Sequence, residues 1–181
     1  MSSATARPRR FTLVPSIACS LLLAEGVFAA EPSGPVESDP ASLKAEIEQL
    51  RSLLPSQSHA MIDVEYHFAN LWFAGKDANW PLAAFYLSES RSRVQWALRI
   101  RPVRKLASGK DLDLKPLADA FETSGVAAVR SAIEAHDAKA FDTAYRATLS
   151  LCHACHVAAE KPFLRPEVPQ HPASPLINPR R

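Results

Sequence analysis

The stretch LCHACHVAAE, from Leu151 to Glu160, sets two cysteines three residues apart and a histidine directly after the second. Cys152, Cys155 and His156 in that order can serve a redox dithiol, a zinc site, or covalent attachment of haem through C-x-x-C-H. Each chemistry asks for a different setting. A dithiol of the thioredoxin kind needs its first cysteine at the start of a helix that follows a strand, where the helix dipole lowers the thiol pKa. Zinc asks for a tetrahedron of four ligands. Successive helix residues point about 100° apart, so only Cys152, Cys155 and His156 converge and a fourth ligand must come from elsewhere. Haem asks for two sulfurs on one helix face, joined as thioethers to the vinyl groups at one porphyrin edge, with an imidazole at i+4 from the first cysteine turned onto the iron. Two buried structural thiols beside a surface histidine are the plain alternative.

The elements that must position these residues read as helices. Leu43, Ile47, Leu50 and Leu54 recur at three- and four-residue spacing until Pro55, a short amphipathic helix that either packs on the domain or pairs with another subunit. Four longer segments follow. The first covers about 58–74 and stops at Gly75, read as a C-terminal cap. The second opens at Asn79 with Pro81 in its first turn and ends before Pro102. Asp113 and Pro116 start the third, which carries Leu117, Phe121, Val129 and Ile133 toward His136. Asp137 caps the fourth, whose inward stripe is Phe141, Tyr145, Leu149, Cys152 and His156, and Pro162 ends it. No stretch has a convincing period of two, and between Ser58 and Glu160 only Gly75, Gly109 and Gly125 supply glycine. The pattern predicts an all-α fold, an antiparallel four-helix bundle over 57–161. A linker and the extra short helix occupy 30–56, and a proline-rich tail, extended on the surface or disordered, occupies 162–181.

The chain opens like a secretory signal. Arg7, Arg9 and Arg10 precede an apolar run from Phe11 to Phe28 that ends in small residues, and Val27 and Ala29 suit a cut after Ala29. A retained anchor fits less well, because Pro15 and Glu25 interrupt a run that falls short of the roughly 20 apolar residues of a spanning helix. The cut removes Cys19 and leaves the two cysteines of the motif. The signal also takes three of 21 basic and one of 19 acidic residues, leaving 18 of each. A near-neutral chain of about 150 residues is one domain and gives no reason to expect nucleic acid.

That context selects among the three chemistries. Cys152 lies several turns inside its helix with no strand before it, which disfavours the dithiol, and zinc lacks its fourth ligand. Haem fits the spacing and the export, since c-type haem is attached to a still unfolded chain in the bacterial periplasm. A C-x-x-C-H near the end of the last helix of a four-helix bundle, behind a signal peptide, resembles cytochrome c′ and its low-spin relatives. LWFAG at 71–75 and NWPLAA at 79–84 resemble the helix-turn-helix block of a little-characterised group of exported monohaem proteins. The resemblance covers about 57–166. It implies one covalent haem c on Cys152 and Cys155, with His156 as the proximal iron ligand. The helix before Pro55 and the tail after Pro162 depart from typical cytochromes c′, which leaves a homodimer open.

The residue opposite His156 sets potential and reactivity. In an antiparallel bundle the end of the fourth helix lies beside the start of the first, which brings forward His59, Met61, Ile62 and, deeper, His67. Met61 stands where the resembling low-spin cytochromes present a methionine, and His67 is the alternative distal ligand. An apolar ceiling from Ile62 would leave iron five-coordinate and open to nitric oxide or carbon monoxide. Trp72, Trp80 and Trp96 read as core before haem wall. Arg99, Arg101, Arg104 and Lys105 read as a solvated helix end, with propionate contact or an acidic redox partner behind it, and Arg165 could reach a propionate from the tail. His136, His153 and His171 have no special context. The expected function is that of a periplasmic electron carrier working with redox partner proteins and without a membrane span after signal cleavage. A gas-binding haem protein and a haem-free helical interaction module are the rivals.

Overall fold

The computed structural model describes residues 39–173. The signal peptide expected at 1–29 with its Cys19, most of the linker, and the end of the tail lie outside the described residues. The described chain is mostly helical: α1 Pro40–Leu53, α2 Gln57–Lys76, α3 Trp80–Ile100, α4 Lys115–Ala120, a π-helical turn Phe121–Val126, α5 Ala127–Glu134 and α6 Ala138–Ala158. The π-helical turn joins α4 to α5 without a break.

Side-chain caps fix three of the helix starts. Ser56 accepts from the His59 amide at 3.3 Å, Asn79 from Leu82 at 3.3 Å, and Asp137 from Lys139 and Ala140 at 2.9 Å each. These oxygens satisfy amides that have no partner inside the helix. Asp113 does not occupy the cap position expected of it. Leu114 stands there, although Asp113 still accepts from the Lys115 amide at 2.9 Å.

Gly75 is not a cap either. α2 runs through it to Lys76, and the chain turns instead at Ala78, a non-glycine residue in the left-handed region at φ 55°. Gly75 is buried, and a Cβ built on it would fall inside the Phe141 ring of α6. Its missing side chain serves close helix packing, which sequence alone does not distinguish from a turn.

The core lies where α2, α3, α5 and α6 meet. Phe68 stacks on Tyr145 with ring centroids 4.5 Å apart, and Trp72 on Phe141 at 6.3 Å. The buried Tyr145 hydroxyl donates to the Phe68 carbonyl at 2.8 Å. From α3 come Tyr86 and Leu87, and from the π-helical turn and α5 come Val126, Val129 and Ile133. Each such side chain contributes about 1.5–3 kcal/mol on burial.

The strands among the described residues form a hairpin between α3 and α4, β1 Val103–Lys105 paired antiparallel with β2 Asp111–Asp113, Arg104 opposite Leu112. Three residues per strand are too few to show alternation. Gly109 takes φ 85° in its loop, and the Ser108 amide donates to Glu160 Oε2 at 3.0 Å. The hairpin is thereby tied to the end of α6. Beyond α6 the tail runs without regular structure, packs Val168 on the core and ends its described part with the Ala173 amide on Asn70 Oδ1 of α2 at 3.2 Å. Every residue of α1 is exposed.

Candidate functional site

The last two turns of α6 carry the C-x-x-C-H. Helical spacing sets Cys152 and Cys155 one turn apart on one side, with His156 beside them. Both thiols are partly buried and free of disulfide. Cys152 packs against the core, and burial pushes its pKa up to about 12. Burial also raises Cys155, with the Arg104 guanidinium pulling the other way. A redox or metal-binding thiol needs its thiolate, so these shifts run against a reactive dithiol in the folded chain.

His156 is held by its ring. Its Nδ1 lies 2.6 Å from the Leu164 carbonyl oxygen, just past the bend at Lys161. A carbonyl can only accept, so Nδ1 carries a proton, and in the neutral ring Nε2 keeps its lone pair. That is the tautomer a metal-ligating imidazole needs, oriented by a backbone acceptor. His153 on the next face makes a parallel contact, Nε2 to the Pro162 carbonyl at 3.1 Å.

The aromatic stacks set the level of α2 against α6. Phe68 matches Tyr145 and Trp72 matches Phe141, four residues back on one helix for four forward on the other. Trp72 also lies 4.8 Å from Tyr145 and Gly75 lies against Phe141, so the start of α2 with Met61 runs toward the end of α6 that carries the motif. Met61 is partly buried and Ile62 is exposed. His67 is next to Phe68, whose ring stacks on Tyr145, eleven residues before His156 or about 16 Å along the axis. It turns toward α3, with Nε2 3.9 Å from Glu89 Oε2 and its ring against Tyr66 and Tyr86. Burial lowers its pKa, with Glu89 opposing.

Two grooves stand out among the described residues. One of about 370 Å³ lies between Ser56, Gln57 and Ser58 of the α2 start and Arg101, Val103, Arg104 and Lys105. Arg104 Nη1 donates to Gln57 Oε1 at 3.0 Å, and Lys105 pairs with Asp111 at 2.8 Å. The other, about 570 Å³, runs between α6 and the tail, lined by Arg146, His153, Arg165 and Glu167 among others. Arg165 is therefore on the His153 side of α6. Exposed apolar side chains belong to the same elements: Ile62 on α2, Val103 on β1, Val157 at the end of α6, and Phe163 and Leu164 beyond it.

Trp72 is core. Trp80 stands at the opposite end of α6, edge-on to Phe141 and stacked on His136 at 5.5 Å. Trp96 is half-buried near the end of α3. Sequence reading missed the settings of His136, which sits at φ 54° under Trp80, and of His153. It also missed the Leu164 carbonyl, a backbone atom whose role no residue type announces.

Among the described residues no three or more His, Cys, Asp or Glu side chains form a group able to hold a metal ion. A c-type haem asks less of the chain, two sulfurs and one imidazole with a free Nε2, and Cys152, Cys155 and His156 fit that demand. No described helix is long and apolar enough to cross a membrane. No protein-family model matches the chain, and no curated protein or solved structure is detectably similar to it.

Proposed function

We propose that this chain is an exported c-type cytochrome of the periplasm. In this reading α2, α3, the α4–α5 segment and α6 form an antiparallel four-helix bundle like that of cytochrome c′. Cys152 and Cys155 hold one haem as thioethers, and His156 is the proximal ligand. The observation that carries the reading is the hydrogen bond from His156 Nδ1 to the Leu164 carbonyl, made next to Cys155 and one helical turn from Cys152, both free, partly buried thiols. When bound, the haem supplies one-electron chemistry. The chain orients the imidazole through the tail, surrounds one side with core side chains, and leaves exposed apolar residues near the motif for partner contact.

Met61 is our choice of distal ligand, because the start of α2 runs toward the end of α6 that carries the motif, while His67 lies further along and faces α3. The Arg101, Arg104 and Lys105 side of the hairpin would favour an acidic redox partner.

The test is optical. Protein made together with the haem-attachment machinery is expected to show a Soret band that survives denaturation, and Cys152→Ser with Cys155→Ser is expected to abolish it. The ferrous form should be low-spin and indifferent to carbon monoxide, and Met61→Ala should render it high-spin and able to bind the gas. A wild-type protein that already binds carbon monoxide would favour gas chemistry over electron transfer. Colourless protein would leave only the helical interaction module.

A further inference from the structure

α1 presents an apolar stripe of Leu43, Ile47 and Leu50, continued by Leu54 one residue past its end, and every residue of the helix is exposed. Leu43, Ile47, Leu50 and Leu54 are 44%, 47%, 57% and 40% exposed. A helix of 14 residues is near the lower limit of what holds in water without packing, about 12–15 residues, so its apolar face needs a cover.

The spacing of the stripe says what kind. Intervals of four and three residues set Leu43 and Leu50 at d and Ile47 at a of a heptad pattern, and Leu54, one residue past the helix end, continues it at the next a. A β-branched residue at a with leucine at d favours two parallel strands. The flanking charges agree. Glu46 falls at g and Lys44 and Arg51 at e, so a parallel pair sets Glu46 against Arg51 of the partner subunit, twice by symmetry. An antiparallel pair would bring the cationic e positions together. Arg51 already reaches Glu48 within its own helix at 2.8 Å, an exposed contact with little net energy and no obstacle to exchange.

We infer that α1 is a parallel two-stranded coiled-coil contact through which two copies of this chain pair, leaving the core and the C-x-x-C-H end of each copy outside the seam. The inference does not depend on the haem reading, since no residue of that site takes part.

Sedimentation equilibrium of the full processed protein between about 1 and 100 μM tests it. A reversible monomer–dimer equilibrium is expected. Leu50→Lys should hold the protein monomeric across the range while its thermal transition stays unchanged, because Leu50 touches no core residue. Glu46→Arg should weaken pairing roughly tenfold, through two contacts turned from attraction to repulsion. Adding Arg51→Glu should restore it. A monomer throughout, or a dimer that Leu50→Lys leaves intact, overturns the inference. A double charge exchange that fails to restore pairing overturns the parallel arrangement.

Discussion

In the folded, haem-free chain Cys152 packs on the core and its thiol pKa rises from 9.0 to about 12, chiefly through burial. At pH 8 folding therefore leaves on the order of a thousandfold less thiolate than the free thiol would have. Iodoacetamide should modify Cys152 far more slowly in native apoprotein than in urea, and equal rates would show the thiol to be open. The same shift acts on stability. A raised folded-state pKa stabilises fully below the unfolded value and is lost as pH climbs through the window from 9.0 to about 12. Apoprotein should lose stability over that window, and Cys152→Ser or thioether formation should remove this part of the loss. Denaturant midpoints against pH would measure it. The residues of the motif and their spacing are read directly from the sequence. The tautomer of His156 is not, because it is set by the carbonyl of Leu164, eight residues away across a bend.

Among the elements, two helix starts were legible because their caps are chemical: Asn79 and Asp137 do what their side chains predict. Gly75 shows where such reading stops. Its sequence context suits a helix end equally well, and only the Phe141 ring of another helix tells the roles apart. Gly75→Ala should force that ring aside and destabilise the fold by about 1–3 kcal/mol, read as a lower denaturant midpoint. An unchanged midpoint would mean that the two helices separate freely. Gly125 poses the same question more mildly, since a Cβ there would lie 2.9 Å from Thr148 Cγ2 and 3.3 Å from Leu151 Cδ1. It sits in a π-helical turn, a device that shifts the phase of a helix by one residue. No periodicity in the sequence marks that turn, as the apolar spacing of Leu117, Phe121, Val129 and Ile133 reads as one uninterrupted helix. The hairpin escaped for want of length.

For the molecule as a whole, the described part of the tail runs without regular structure. Its prolines forbid helix but do not say where it lies; the Leu164 carbonyl, Val168 and the Ala173 amide do. Removing residues 163–181 should cost the apoprotein about 1–3 kcal/mol through the lost Val168 contact and an unpaired Asn70. In the haem-loaded protein it should also shift the reduction potential positive, because an imidazole without its acceptor is the weaker base. Voltammetry of the truncated form checks this, and an unmoved potential would deny the carbonyl its part. The tail's position has a further consequence for how the molecule is made. In a chain still unfolded the Leu164 carbonyl does not yet hold the imidazole, which can swing freely. Folding thus closes over a motif first presented bare, and the residues just past α6 complete that closure.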